Sequence, residues 1–183
     1  MVIFTILFVL LGARSFGGEV WSSEDKKCVV RIADSIGAEQ SDLNREIEIS
    51  VGGRILARLK TIGYLMDVKW SASGEFVAIN NRRASSGDYL WVVSLSNGQV
   101  IRKPDDPFRF RPSVFPSSSE YGPDSDVFRM FIIANRWDSD GSLLVERSFS
   151  YKNKNNTVIE HLVCEVSEGE IWVKAARVSI RQR

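Results

Sequence analysis

The sequence predicts an all-β protein organised as three four-stranded antiparallel repeat units. Three observations carry that reading. Apolar residues alternate with period two, as in Ile47, Ile49 and Val51, which marks half-buried strands. Helical periodicity is scarce, with only Ala38 to Arg45 able to form a short helical turn, or equally a loop. A tryptophan leading through a short polar turn into an apolar strand occurs three times, at Trp21, Trp70 and Trp137.

Composition bounds the answer. The 183 residues are 44% hydrophobic, 26% charged and 10% aromatic, which is ordinary for a globular chain and excludes disordered, collagen-like and coiled-coil classes. The length fits one domain with a substantial core. Lys and Arg total 24 against 23 Asp and Glu, so no global nucleic-acid or polybasic membrane signature exists. One histidine (His161) and two cysteines (Cys28, Cys164) are too few for a thiolate/imidazole metal site, and no cofactor motif is present.

Residues Val2 to Leu11 are uninterruptedly apolar and span about half the roughly 20 residues a membrane-crossing helix needs. With Ala13-x-Ser15 as a small-residue exit, residues 1–15 read as a signal peptide, although no Lys or Arg precedes the apolar run. A buried first strand is the competing reading. The signal peptide implies a secreted or periplasmic chain, residues 16–183, with no membrane span in its mature form. In such a compartment Cys28 and Cys164 could pair, closing most of the chain into one loop worth on the order of 4–5 kcal/mol. Two separate buried thiols are the alternative. Asn155-Asn156-Thr157 is a glycosylation sequon, relevant only to a eukaryotic secretory pathway.

The first unit covers residues 17 to 60. Trp21 enters a turn with Asp25 four positions on, then a strand from Cys28, and IEISV-GG-RILARL supplies a glycine hairpin. In the second unit, residues 64 to 103, Trp70-Ser-Ala-Ser-Gly74 leads into Glu-Phe-Val-Ala-Ile, and WVVSLSNG-QVI turns at Asn97-Gly98. The third, residues 128 to 176, has Trp137-Asp-Ser-Asp-Gly141 before Ser-Leu-Leu-Val-Glu, then LVCEVSEG-EIWV turning at Glu168-Gly169. Edge strands are an association hazard, and the segments around Val20 and Ala176 to Ile180 are candidates to cover them.

The Trp-Ser-Ala-Ser-Gly turn, followed by Glu-Phe-Val-Ala-Ile and Tyr-Leu-Trp-Val-Val-Ser-Leu-Ser-Asn-Gly, resembles the repeat of TolB-like and WD-repeat-like β-propellers. The likeness spans residues 20–176. It is good in the second repeat, fair in the third and weak in the first, where Asp25 replaces the turn glycine. It implies a scaffold for protein interaction, with the turn aromatics packing between neighbouring sheets. Closed propellers have four to eight blades, whereas this chain has three units. The expectation is a propeller-like open stack or a sandwich, monomeric, with completion by a second chain in a homodimer as the rival.

Residues 103–127 break the pattern. All five prolines fall here, at positions 104, 107, 112, 116 and 123, interleaved with Phe108, Arg109, Phe110, Arg111, Phe115 and Tyr121. Arg and aromatic side chains on a proline-stiffened loop suit interface anchors, so these six residues are the candidate binding surface for a protein partner. The competing reading is that the loop lies over the sheet and its aromatics fill a gap. Burial or pairing of residues 108–111 within the monomer would decide for it.

Catalytic chemistry has little support. His161 sits in a strand pattern and fits a structural histidine, and neither G-x-S-x-G nor a phosphate-cradling glycine loop occurs. The acid pairs Asp105/Asp106, Asp124/Asp126 and Asp138/Asp140 suit turns. A calcium loop with Gly141 at its sixth position would place cationic Arg136 and Arg147 at its first and twelfth, which excludes it. The reading is therefore a non-enzymatic binding module without metal, nucleic acid or cofactor. A small-ligand or glycan-binding or hydrolytic protein using the acidic turns is one alternative, and a structural remnant acting within an assembly is another.

Overall fold

The computed structural model describes residues 20–34, 44–62, 64–83, 87–104, 106–112, 127–151, 156–167 and 169–182. The segment 1–15 read as a signal peptide, the sequon's Asn155, Phe115 and Tyr121 lie outside them. So does most of the Ala38 to Arg45 stretch, whose last two residues open a strand. All regular structure among the described residues is strand, and none of it is a helix long and apolar enough to cross a membrane.

The first unit is a meander of β1 (Val20–Ser22), β2 (Cys28–Asp34), β3 (Asn44–Val51) and β4 (Arg54–Ile62). Gly52 and Gly53, both at positive φ, make the two-residue β3–β4 turn that the right-handed strand twist favours. The second unit is β5 (Tyr64–Trp70), β6 (Phe76–Arg83), β7 (Gly87–Ser94) and β8 (Val100–Arg102), again antiparallel. After the short β9 (Arg109–Phe110) comes the third, β10 (Val127–Trp137), β11 (Leu143–Tyr151), β12 (Asn156–Ser167) and β13 (Glu170–Gln182).

The propeller-like arrangement expected from the repeats does not form. The ladder is not closed, and its strand order is mixed. Gly87 and Asp88 of β7 pair in parallel with Met130 and Phe131 of β10, joining the second and third units into one ladder. The insertion returns as β9, parallel to β13 at Trp172 and Val173. Three units are too few to close a ring. The stretch Ala176 to Ile180 is part of β13, paired with β12, and Val20 belongs to β1, paired with β2, so neither is a separate cover for an edge.

The three units pack as successive layers. Val30, Ile47 and Ile49 of the first meet Val77, Ile79 and Val93 of the second. The opposite face of the second, Ala78, Leu90 and Val92, meets Ala134, Val145 and Leu162 of the third. Alternation within β6 and β7 thus feeds two cores, and the near-continuous apolar run of β7 is what burial on both faces requires. Cys28 packs against the first core and Cys164 sits in the second. Both are free thiols, so the pairing expected of an exported chain is replaced by the alternative of separate apolar positions.

Two contacts fasten the layers. Gly98, in the β7–β8 hairpin at φ 74°, lies so close to the first unit that an added Cβ would sit 2.4 Å from the Leu56 carbonyl oxygen. Asn80 of β6 donates from Nδ2 to the Ala134 carbonyl at 2.8 Å and accepts the Ala134 N–H at Oδ1, also at 2.8 Å. It acts as a strand partner for β10 where no backbone reaches. Asn80→Leu orphans a buried N–H and C=O together, and a loss of about 2–4 kcal/mol is expected in urea unfolding. A loss below about 1 kcal/mol would mean that β10 finds other partners.

Candidate functional site

Of the insertion, Phe108 to Arg111 are taken up by the fold. Phe108 is 7% exposed and belongs to the second core, and half-buried Phe110 packs against the same core. Arg109 pairs with Glu170 at 3.0 Å and Arg111 with Glu165 at 2.7 Å, their guanidinium groups flanking the Trp172 ring at 5.9 and 5.4 Å. Phe108, Arg109, Phe110 and Arg111 are therefore corrected from binding anchors to structural residues. Their alternation is that of a strand with an apolar and a charged face, a signal present in the sequence and masked by the surrounding prolines.

The last strand of the second unit is only three residues long. Phe108 fills the gap between two arginines. The Arg102 guanidinium lies 4.2 Å from its ring centroid, and Arg102 Nη1 donates to the carbonyls of Lys103 (2.7 Å) and Asp106 (2.5 Å). Arg147 is ringed by Phe108, Phe110 and Phe149 at 4.8–5.8 Å and pairs with Glu160, its cross-strand neighbour, which is 1% exposed. Cation–π contact and the ion pair together allow charges where the Arg147 side chain keeps only 14% of its exposure and Glu160 almost none.

The repeat turns do converge on one end of the stack. Ser71 accepts the Gly74 N–H through its carbonyl, and its Oγ accepts the Phe76 N–H at 2.9 Å. Asp138 likewise accepts from Gly141 through its carbonyl, both glycines holding positive φ. In the first unit the same turn is displaced by one residue. Ser23 takes the place of Ser71, and Lys26, at φ 57°, takes the left-handed position that Asp25 was expected to hold. Asp25 instead accepts from Ser23 Oγ at 2.6 Å and from the Lys27 N–H.

The displacement turns one tryptophan round, because successive strand residues face opposite sides. Trp137 faces the preceding layer, stacking on Phe76 at 6.0 Å and donating from Nε1 to the Lys69 carbonyl at 3.0 Å. Trp70 also packs into the core it shares with the preceding layer. Trp21, one residue further from its turn, faces the following layer, where the described residues of the first unit bury their core.

Two open grooves run between these turns. One, of about 800 Å³, lies between the first and second turns and is walled by Asp25, Lys27, Trp70, Arg136 and Trp137. The other, of about 660 Å³, lies between the second and third, with Glu75, Phe76, Asp140, Glu165 and Lys174. Residues Ser71, Ala72 and Ser73 line both, so the grooves meet across the second turn. No protein-family model matches this sequence, and no curated protein is significantly similar to it.

Among the described residues no group of three His, Cys, Asp or Glu side chains could hold a metal ion. Asp105, Asp124 and Asp126 lie outside the described residues, and the other three turn aspartates hold local structure. Asp106 accepts the Lys103 N–H, Asp138 pairs with Arg136, and Asp140 bonds Lys174 and the Ser142 N–H. Exposed His161 faces Glu146 at 3.9 Å.

The Lys174 ammonium and the Ser142 N–H lower the Asp140 carboxyl from 3.8 to about 2, which suits a permanent acceptor and not a general acid. A depressed folded-state value stabilises above the unfolded value and loses that contribution as pH falls through the folded one. Asp140→Asn should therefore be less stable than wild type at neutral pH, with the difference closing as pH drops from 3.8 toward about 2. A pH-independent gap in Tm would remove the carboxylate from the account.

Proposed function

We propose that the chain is a non-enzymatic interaction module of a secreted or periplasmic protein, contacting a protein partner through the hairpin end of its layered β scaffold. The observation that carries the proposal is the pair of grooves meeting at Ser71–Ser73, with Trp70, Phe76 and Trp137 beside mixed charge. Aromatic anchors surrounded by polar side chains are the composition of binding surfaces, and an open channel shared by successive units suits a polypeptide segment better than a small substrate. The apolar leader supports export, and the likeness of the turns to TolB-like and WD-repeat-like repeats supports an interaction role.

Ala72 is exposed and lines both grooves, so Ala72→Arg obstructs them without touching either core. Crosslinked pull-down from the native extracytoplasmic fraction should recover a partner with wild type and lose it with this variant. Equal recovery would move the interaction elsewhere, and no partner for either would remove the reading. Glu75, Asp140 and Glu165 around Phe76 favour a second reading, a glycan or small polar ligand in the second groove. Glycan binding that is sensitive to Phe76→Ala would select it.

A further inference from the structure

The outer edge of β13 is a second surface, separate from the grooves. Among the described residues, β9 pairs with β13 only at Trp172 and Val173, leaving the run from Ala175 to Gln182 with β12 on one side and no strand on the other. An edge of this length without a strand partner among the described residues presents a row of backbone donors and acceptors to another strand. Its exposed side chains include Arg177, Ser179, Ile180 (50% exposed) and Arg181, with no acidic residue between Lys174 and Arg183.

The geometry points to this edge as a docking site for an extended acidic segment of a partner protein, added as a further strand beside β13. Charge selects the occupant. Antiparallel pairing of two copies would bring Arg177 and Arg181 of each chain into one ladder, and like charges across strands are destabilising. The same cations attract Asp or Glu side chains alternating along an incoming strand. Main-chain bonds then supply affinity and the arginines supply selectivity. Exposed Ile180 offers an apolar contact for one residue of that strand. Residues Ala175 to Gln182 line neither groove, so this inference stands apart from the hairpin-end reading.

The test uses the purified full chain and a fluorescein-labelled peptide alternating Glu with Val and Thr, read by anisotropy. Saturable binding is expected, with protection of the Arg177–Ile180 amides in hydrogen exchange. R177E/R181E should weaken it at least about tenfold. N-methylation of alternate peptide amides should abolish it, because strand pairing needs those N–H groups. Ala72→Arg should leave it unchanged, which separates failure at this edge from failure at the hairpin end. Equal binding of the N-methylated peptide would reduce the effect to charge alone and overturn the proposal. So would absence of binding, or a dimer of the chain that protects the β13 amides without peptide.

Discussion

Glu160→Ala should cost about 3–5 kcal/mol, because it strands the Arg147 guanidinium among Phe108, Phe110 and Phe149. Arg147→Ala should cost a similar amount by leaving Glu160 charged and enclosed. Replacing both, as Arg147→Met with Glu160→Leu, should return stability to near wild type. Desolvating two charges consumes most of what their attraction supplies, and apolar side chains of similar volume avoid that cost. Glu160 Oε1 has no hydrogen-bond partner among the described residues, which tilts the balance further toward the apolar pair. Urea midpoints for the four proteins, at constant m, measure this coupling. A double variant as weak as the two singles added together would show that the pair is not acting as one unit.

Gly98→Ala carries the second large effect. A left-handed alanine costs about 1–2 kcal/mol at any site, and here its Cβ would also meet the Leu56 carbonyl oxygen at 2.4 Å. The backbone of β4 must shift to admit it, and overpacking of this kind adds about 1–3 kcal/mol. Gly74→Ala is the matched control, since Gly74 has φ 71° but nothing within 4 Å of the place its new methyl group would take. The expected result is a loss at Gly98 about 1–3 kcal/mol larger than at Gly74. Equal losses would mean that the hairpin and the first layer are not in close contact.

Much of the strand content was legible in the sequence. Period-two runs, the Gly52-Gly53 and Asn97-Gly98 turns, and the threefold Trp-turn repeat all correspond to observed elements. Less legible was anything decided by contacts between distant segments. Trp21 looks equivalent to Trp70 and Trp137 until the turn at Lys26 shows it one residue out of register. Phe108 to Arg111 look like interface anchors until Glu165, Glu170 and Trp172 are found beside them. Asn80 carried no signal at all, because its role depends on an Ala134 peptide 54 residues away. The grooves were invisible for the same reason, being spaces between turns and not properties of any one of them.

Burial of the second unit on both faces has a consequence for how the molecule comes apart. Among the described residues neither terminal unit shares a core with the other, and the main core of each is built against the middle one, the third unit adding only a small cluster of its own around Phe149 and Val158. In an array coupled only between nearest neighbours, loss of the middle member dissolves both couplings at once, whereas loss of an end dissolves one. Damage to Val77, Ile79 or Ala78 therefore propagates in both directions along the chain. Comparable damage at Ile47 or Leu162 reaches the far unit only through its neighbour, making the centre the keystone of cooperative unfolding.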